Sequence, residues 1–524
     1  MSVPLILASN PTAWLTPVWL IGAGCFGGLV VLAVLYGLAK IIAPTIAEVA
    51  AGTLRESFVL PLLSLVSGFA AFAVLSVLLS LGGVGYLPWE DITRSLARLP
   101  KSNSFRTEFT VPGTAPIEAN ATTPPANDKP QEFTLDYRPQ ELRSVKVESD
   151  QDLEFYPRDP SSYYVGAIPK KITLNRNEAW NWPENAEGDK RQAINPFAGR
   201  RATLYVLSPA GQVAHLVVSG VTREEYPQVA VVPYTAAAIV GVVLFYLALR
   251  MAMPKVMAVA SATAKEAINE PLFLVVLGLG AFALMTFVFI PYNTFGEDVK
   301  MLKMCALDLI MFLSIVVAAW TASVSISEEI EGRTALTVLS KPIGRIQFII
   351  GKFIGVVQAV SLLYLFLGAI LLVVVSGKVV YDVRESAAPE ALWPDCYVEM
   401  IGIVPGLVLA FFETTVITSI SVAISTRLSM VPNLLISLSV YALGNLAPLL
   451  VQAKVNDPYG IVHFVGQLLA TVLPVLENFN LHSAIAAGQE VPLIYLAWAL
   501  LYCCLYSAVA MLLALLLFED RDLA

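Results

Sequence analysis

The chain has 524 residues, of which 56% are hydrophobic and only 14% charged, with a mean hydropathy of +0.69. An ordinary soluble protein carries about 25% charged residues, so this composition excludes one. The net charge of −8 belongs to no single acidic tract, and nothing resembles the basic footprint of a nucleic-acid partner.

The charges are unevenly placed: residues 88–228 hold 17 of the 33 Lys and Arg and 19 of the 41 Asp and Glu. A water-facing domain inserted into a membrane protein accounts for that contrast. The five cysteines (Cys25, Cys305, Cys396, Cys503, Cys504) form neither a CxxC pair nor an even framework, and four lie in apolar runs. They read as packing residues. No Lys or Arg precedes the first apolar run, so a cleaved signal peptide is not expected.

A bilayer-crossing helix needs about 20 mostly apolar residues. Nine stretches qualify: 16–39, 58–86, 229–250, 270–292, 304–326, 349–376, 399–425, 430–452 and 492–518. The expected fold is an all-α polytopic membrane protein of about nine transmembrane helices, with an inserted, mainly β extracytoplasmic domain. Residues 1–87 supply two spans, 88–228 the inserted domain, 229–250 the third span and 251–524 a six-span portion.

Orientation follows from Lys and Arg in short loops. Arg333, Lys341, Arg345, Lys352, Arg427 and Arg521 share one side by parity with Lys40, Arg55, Lys255 and Lys265. That side is assigned as cytoplasmic. The 377–398 loop opposite is dominated by Asp382, Glu385, Glu390 and Asp395. The N-terminus and residues 88–228 are therefore expected outside, the C-terminus inside, in a bacterial cytoplasmic (inner) membrane.

Residues 103–130 are rich in Pro, Thr and Asn and read as loop. Alternating runs follow at 132–137, 142–148, 172–174, 202–207 and 213–218, predicting a small antiparallel sandwich. Phe155, Tyr156, Tyr163, Tyr164, Trp180 and Trp182 fit a core better than a ligand surface. The triplet Asn120-Ala-Thr122 matches a glycosylation sequon, a common pattern with little weight.

The most informative segment runs from Ser325 to Phe353. A span ends in Glu328, Glu329 and Glu331, Gly332 permits a turn, and Thr334 can cap a short helix carrying Leu336, Val338 and Leu339. Pro342 stops that helix and suits the first turn of the next. There Ile343, Ile346 and Ile350 recur at helical spacing, predicting an apolar stripe along the membrane surface before span six. A short, rigid projection of this kind can receive a push from a partner. The same acids and bases also suit a solvated loop.

This segment resembles the coupling region of ABC-2-type ABC transporter permeases, which show Glu-x-x-x-Gly-Thr, Leu-Leu-Ser-x-Pro, a basic residue and Gly-Lys. The matching residues are Glu328 and Gly332, Arg333 preceding Thr334, Val338-Leu-Ser-Lys-Pro342, Arg345 and Gly351-Lys352. The resemblance covers roughly 251–524. It implies a six-helix core that pairs with a second permease copy, homo- or heterodimeric. It also implies a separate ABC ATPase subunit docking on the cytoplasmic segment 327–348, through Glu328, Glu329, Glu331, Gly332, Arg333, Leu336, Lys341, Pro342 and Arg345. Residues 460–477 resemble the family's outside re-entrant helix and 252–269 its amphipathic elbow. The three front spans and the outer domain depart from the family pattern.

No phosphate loop is present: Gly344 to Gly351 leaves six residues between glycines where four are needed, and Phe353 replaces the hydroxyl. No cofactor is expected in this chain, ATP and Mg²⁺ belonging to the partner, and no metal or catalytic constellation is found. Polar side chains in spans usually face a bundle interior or a wet cavity. Thr414, Thr418, Ser421 and Ser425 share one helical face; Asn433, Ser437, Tyr441 and Asn445 share another; Asp308 and Glu413 are acids at membrane depth. These residues fit a translocation path, although hydroxyls also pack helices together.

Two functions remain open at this point: a permease subunit, with export the expected direction, or a non-transporting membrane scaffold or sensor whose outer domain binds a ligand or partner. Neither is an enzyme.

Overall fold

The computed structural model describes residues 11–54, 58–81, 87–99, 104–112, 130–157, 172–176, 178–182, 197, 201–207, 213–224, 226–290, 292, 297–328, 344–385, 390–452, 464 and 473–519. They divide into two compact units, Pro88–Ala230 and the remainder of the chain.

The smaller unit begins with a short amphipathic helix over Trp89–Arg98, followed, among the described residues, by eight strands. These are β1 (Ser104–Val111), β2 (Gln131–Thr134), β3 (Leu142–Ser149), β4 (Leu153–Tyr156), β5 (Ile172–Leu174), β6 (Ala179–Trp182), β7 (Thr203–Leu207) and β8 (Ala214–Thr222). They form two antiparallel four-stranded sheets, ordered β1-β8-β3-β6 and β2-β7-β4-β5. Alternate residues point inward, so Val145, Val147, Leu216 and Val218 of one sheet meet Phe155, Leu204 and Val206 of the other in one core. Phe155 is 0% exposed and meets Trp180 edge-on at 5.0 Å. Trp180 and Trp182 pack half-buried against the same core, Tyr156 is half-buried beside Phe155, and Tyr163 and Tyr164 lie outside the described residues.

One correction concerns residues 103–130, read as loop: 104–111 is an edge strand, Ser104 pairing with Val221. Its Phe105, Phe109 and Val111 already carry the period of two, but the Pro- and Thr-rich tract beyond Val111 masked it. Strands β4 and β6 lie within the aromatic group rather than in a predicted run.

The larger unit is helical. Its front part comprises α1 (Pro11–Ile42), α2 (Pro44–Leu54), α3 (Val59–Leu81) and α4 (Val231–Ala252). Helix α1 packs against α3 and α4. A Cβ on Gly24 would fall 1.6 Å from Thr235 Oγ1, so α1 and α4 touch at backbone distance, the small-residue packing usual in membranes.

Next come α5 (Pro254–Asn269), α6 (Pro271–Phe287), α7 (Asp298–Ala322), a π-turn over Ser323–Glu328, and α8 (Arg345–Glu385). Helices α9 (Trp393–Gly402), α10 (Val404–Ser425), α11 (Met430–Gln452), α12 (His482–Ala486) and α13 (Leu493–Glu519) complete the unit. Helix α5 bends 62° from α6. It buries Val256, Val259, Ala260, Thr263 and Ala267, a single face that packs on α8. Among the described residues, seven helical stretches are long and apolar enough to cross a membrane, or up to eight with the bent pair counted as one.

Two expectations need correction. The 377–398 stretch read as a loop is largely helix, because α8 continues to Glu385 and α9 starts at Trp393; no proline interrupts the chain before Pro389. The apolar stripe of Ile346 and Ile350 forms no separate surface helix, since α8 starts at Arg345 and runs unbroken into the span.

A Cβ at Gly355 of α8 would sit 2.6 Å from Thr263 Cβ on α5. Gly355→Val should therefore destabilise the α5–α8 contact by about 1–3 kcal/mol, the usual scale of overpacking. Gly377→Ala, with nothing within 4 Å, should leave the thermal unfolding midpoint in detergent unchanged or slightly raised.

Candidate functional site

In lipid, a polar group must find its partner inside the protein. In the helical unit the residue that satisfies most neighbours is Asn433, 0% exposed on α11. Its Nδ2 donates to Ser323 Oγ at 2.7 Å and Ser421 Oγ at 2.9 Å, and lies 3.4 Å from Ala319 O. Its Oδ1 accepts from Ser421 and Ser437, each at 3.3 Å. One amide thus joins α7, its π-turn, α10 and α11. Ser323 also donates to Ala319 O at 2.9 Å, so its hydroxyl competes for a helix carbonyl just where α7 widens into the π-turn.

Farther along α10, Glu413 is 0% exposed and its Oε1 accepts from Asn445 Nδ2 at 2.9 Å. Thr414 shares a 2.8 Å hydrogen bond with Tyr364 of α8 and donates to Ala410 O. Thr418 donates to Thr414 O and Ser425 to Val422 O. These hydroxyls bond back to their own helix and are fully buried. Asp308 stands apart from them: its side chain is 58% exposed, and its Oδ1 lies 2.6 Å from His482 Nδ1.

The structure therefore brings Ser421, Asn433 and Ser437 together, joins Glu413 to Asn445, and leaves Asp308 paired elsewhere. A cavity of about 520 Å³ lies between α1, α3, α4, α8 and α10. Its wall is apolar, and the predicted path residues do not line it. Of the coupling residues, Glu329, Glu331, Gly332, Arg333, Leu336, Lys341 and Pro342 fall outside the described residues. Glu328 closes the π-turn, and Arg345 is exposed at the start of α8. The 460–477 segment lies outside them too, except Phe464 and 473–477.

Sequence reasoning missed two buried cations near the other end of α7. Lys303, 1% exposed, pairs with Glu399 of α9. Lys378 of α8, also 1% exposed, lies 3.6 Å from Asp298 and donates to Val288 O at 3.3 Å. It also sits over the Tyr381 ring at 4.9 Å. Lys378 had been assigned to a loop. The available signal was a lysine one residue past a long apolar run, with its acid on another span.

These features define a polytopic membrane protein whose helices are joined by buried polar contacts. The family model for ABC-2 family transporter proteins matches residues 238–523, more than half of the sequence, and the chain belongs to that family. No curated protein matches the chain.

Asn433→Ala should lower unfolding stability in detergent by about 1–2 kcal/mol, the upper range for interhelical hydrogen bonds in membranes. Ser439→Ala, which loses only an exposed bond to Leu435 O, should be close to neutral. Lys378→Met should cost up to about 3–5 kcal/mol because it removes the buried cation facing Asp298. The double variant Lys378→Met/Asp298→Leu should recover most of that loss in the same denaturation assay.

Proposed function

We propose that this chain is the transmembrane permease subunit of an ABC transporter, exporting its substrate with ATP hydrolysed by a separate ATPase subunit. The observation that carries this reading is the family match over residues 238–523, which takes in the acidic end of α7, the start of α8 and the sequence between them. Segment 327–348 is the docking lever in this proposal. It begins inside the π-turn and ends inside α8, so a push on it reaches α7 on one side and α8 on the other.

The proposed orientation places 327–348 and the C-terminus in the cytoplasm of a bacterial cell, with the N-terminus and the β unit outside. A second permease copy, identical or homologous, completes the transport unit. Nucleotide and Mg²⁺ are held by the ATPase. Asp308, Glu413, Thr414, Thr418, Ser421, Asn433, Ser437 and Asn445 are retained as residues controlling the path. Apart from the exposed Asp308 and half-buried Asn445, their burial favours a role in how α7, α10 and α11 shift against one another over a role as a standing pore lining.

Deleting 332–342, or reversing the charges of Glu328 and Glu331, should abolish co-purification of the ATPase while membrane insertion stays intact. Normal co-purification with normally stimulated ATP hydrolysis would refute this assignment. The neighbouring reading frame should encode an ATPase with a phosphate loop.

A further inference from the structure

Glu413 Oε2 and His482 Nε2 have no hydrogen-bond partner among the described residues, although both atoms are sealed from solvent. Glu413 is 0% exposed and His482 2%. The other half of each side chain is engaged, Glu413 Oε1 by Asn445 and His482 Nδ1 by Asp308. An orphaned buried polar atom is costly, and it marks a place where something is exchanged or bound.

The setting favours a proton. Asp308 lies ten residues into α7 and Glu413 nine into α10, so each sits roughly 14–15 Å from its helix start at 1.5 Å per residue. An exposed carboxylate at that depth needs water beside it rather than hydrocarbon. Helix α12, which carries His482, packs against both α7 and α10. His482 and Asp308 are the ionisable neighbours of Glu413 on α12 and α7. Tyr364 of α8 and Tyr441 of α11 in turn feel Glu413, and from α13 the Cys503 thiol donates to the adjacent Phe412 O. No lysine or arginine is among these groups, so among the described residues no permanent cation fixes the carboxylate.

We propose that Glu413 is a proton-binding site loaded through the Asp308–His482 pair, with water on the Asp308 side as the proton source. A hydronium ion protonates Asp308. Its O–H proton then passes to His482 Nδ1 as the Nε2–H proton passes through one water to Glu413 Oε2. Only O–H and N–H bonds break and form, no electrons are transferred, and His482 ends neutral with Nδ1–H donated to the Asp308 carboxylate. In that state the Glu413 O–H donates to the bridging water and the His482 Nε2 lone pair accepts from it, so both orphaned atoms gain a partner. Loading also turns the bond from Asn445 into a neutral one, weakening the link between α10 and α11. This site requires only the helical unit and stands apart from the permease reading.

Infrared difference spectra of the full chain in lipid nanodiscs, stepped through pH, test the proposal without any substrate. A carbonyl band from a protonated buried carboxyl should grow as pH falls, be lost in Glu413→Gln and move in frequency in Glu413→Asp. His482→Gln and Asp308→Asn should shift its midpoint by about one pH unit, a common size for the loss of one charged or bonded neighbour. If Glu413→Gln does not fold, the Glu413→Asp frequency change and the His482→Gln midpoint decide the matter. A spectrum with no titrating component that depends on residue 413, or a midpoint unmoved in both partner variants, would overturn it.

Discussion

The Asn433 amide is the contact on which the arrangement of the helical unit depends. Four hydrogen bonds to serines on three segments converge on one side chain that is fully buried. In water such bonds would trade against solvent and contribute little. At membrane depth no water competes, and each serine hydroxyl that lost the amide would have only its own helix carbonyls left. Asn433 therefore fixes the rotation of α11 about its axis: a turn away from this register breaks its three bonds with Ser323 and Ser421 together and leaves only the one from Ser437 of its own helix.

Helix α7 is held at both ends by such contacts. Near the π-turn Ser323 meets Asn433, and toward its start Lys303 and Asp298 pair with Glu399 and Lys378. Accordingly α7 is the inner helix, with 72% of its apolar window buried, against 28% for α3, 22% for the stretch containing α4 and 28% for α13. The outer faces of the last three are left to hydrocarbon. A buried ion pair adds little net stability once desolvation is counted, but losing one partner is severe. The two lysines thus act chiefly to specify which spans stand beside α7.

Much of this architecture was legible in the sequence, because hydropathy and charge segregation are one-dimensional signals. The apolar runs, the charged insert and the alternation in Leu142–Glu148 or Ala202–Leu207 needed no partner to be read. What escaped depends on pairing between distant residues. His482 fits no metal-ligand spacing, and its acid lies 174 residues away. Lys378 looked like a loop cation because its acid is on another helix. The sequence puts Asn433 and Ser421 each on a polar stripe of its own helix, yet nothing in either stripe says that the two faces meet, or that Ser323 joins them.

The π-turn gives these contacts a mechanical consequence. A straight α-helix transmits displacement along its axis, whereas an extra residue in one turn leaves carbonyls unpaired and permits a shift of register. Here that turn sits between the Asn433 junction and the acidic stretch that opens the proposed lever. On the permease reading, a force applied beyond Glu328 first meets the π-turn, and only a displacement large enough to consume its slack disturbs Ser323 and the bonds to α10 and α11. The junction then behaves as a threshold element: small fluctuations of the lever leave the helix arrangement intact, and a full stroke reaches it.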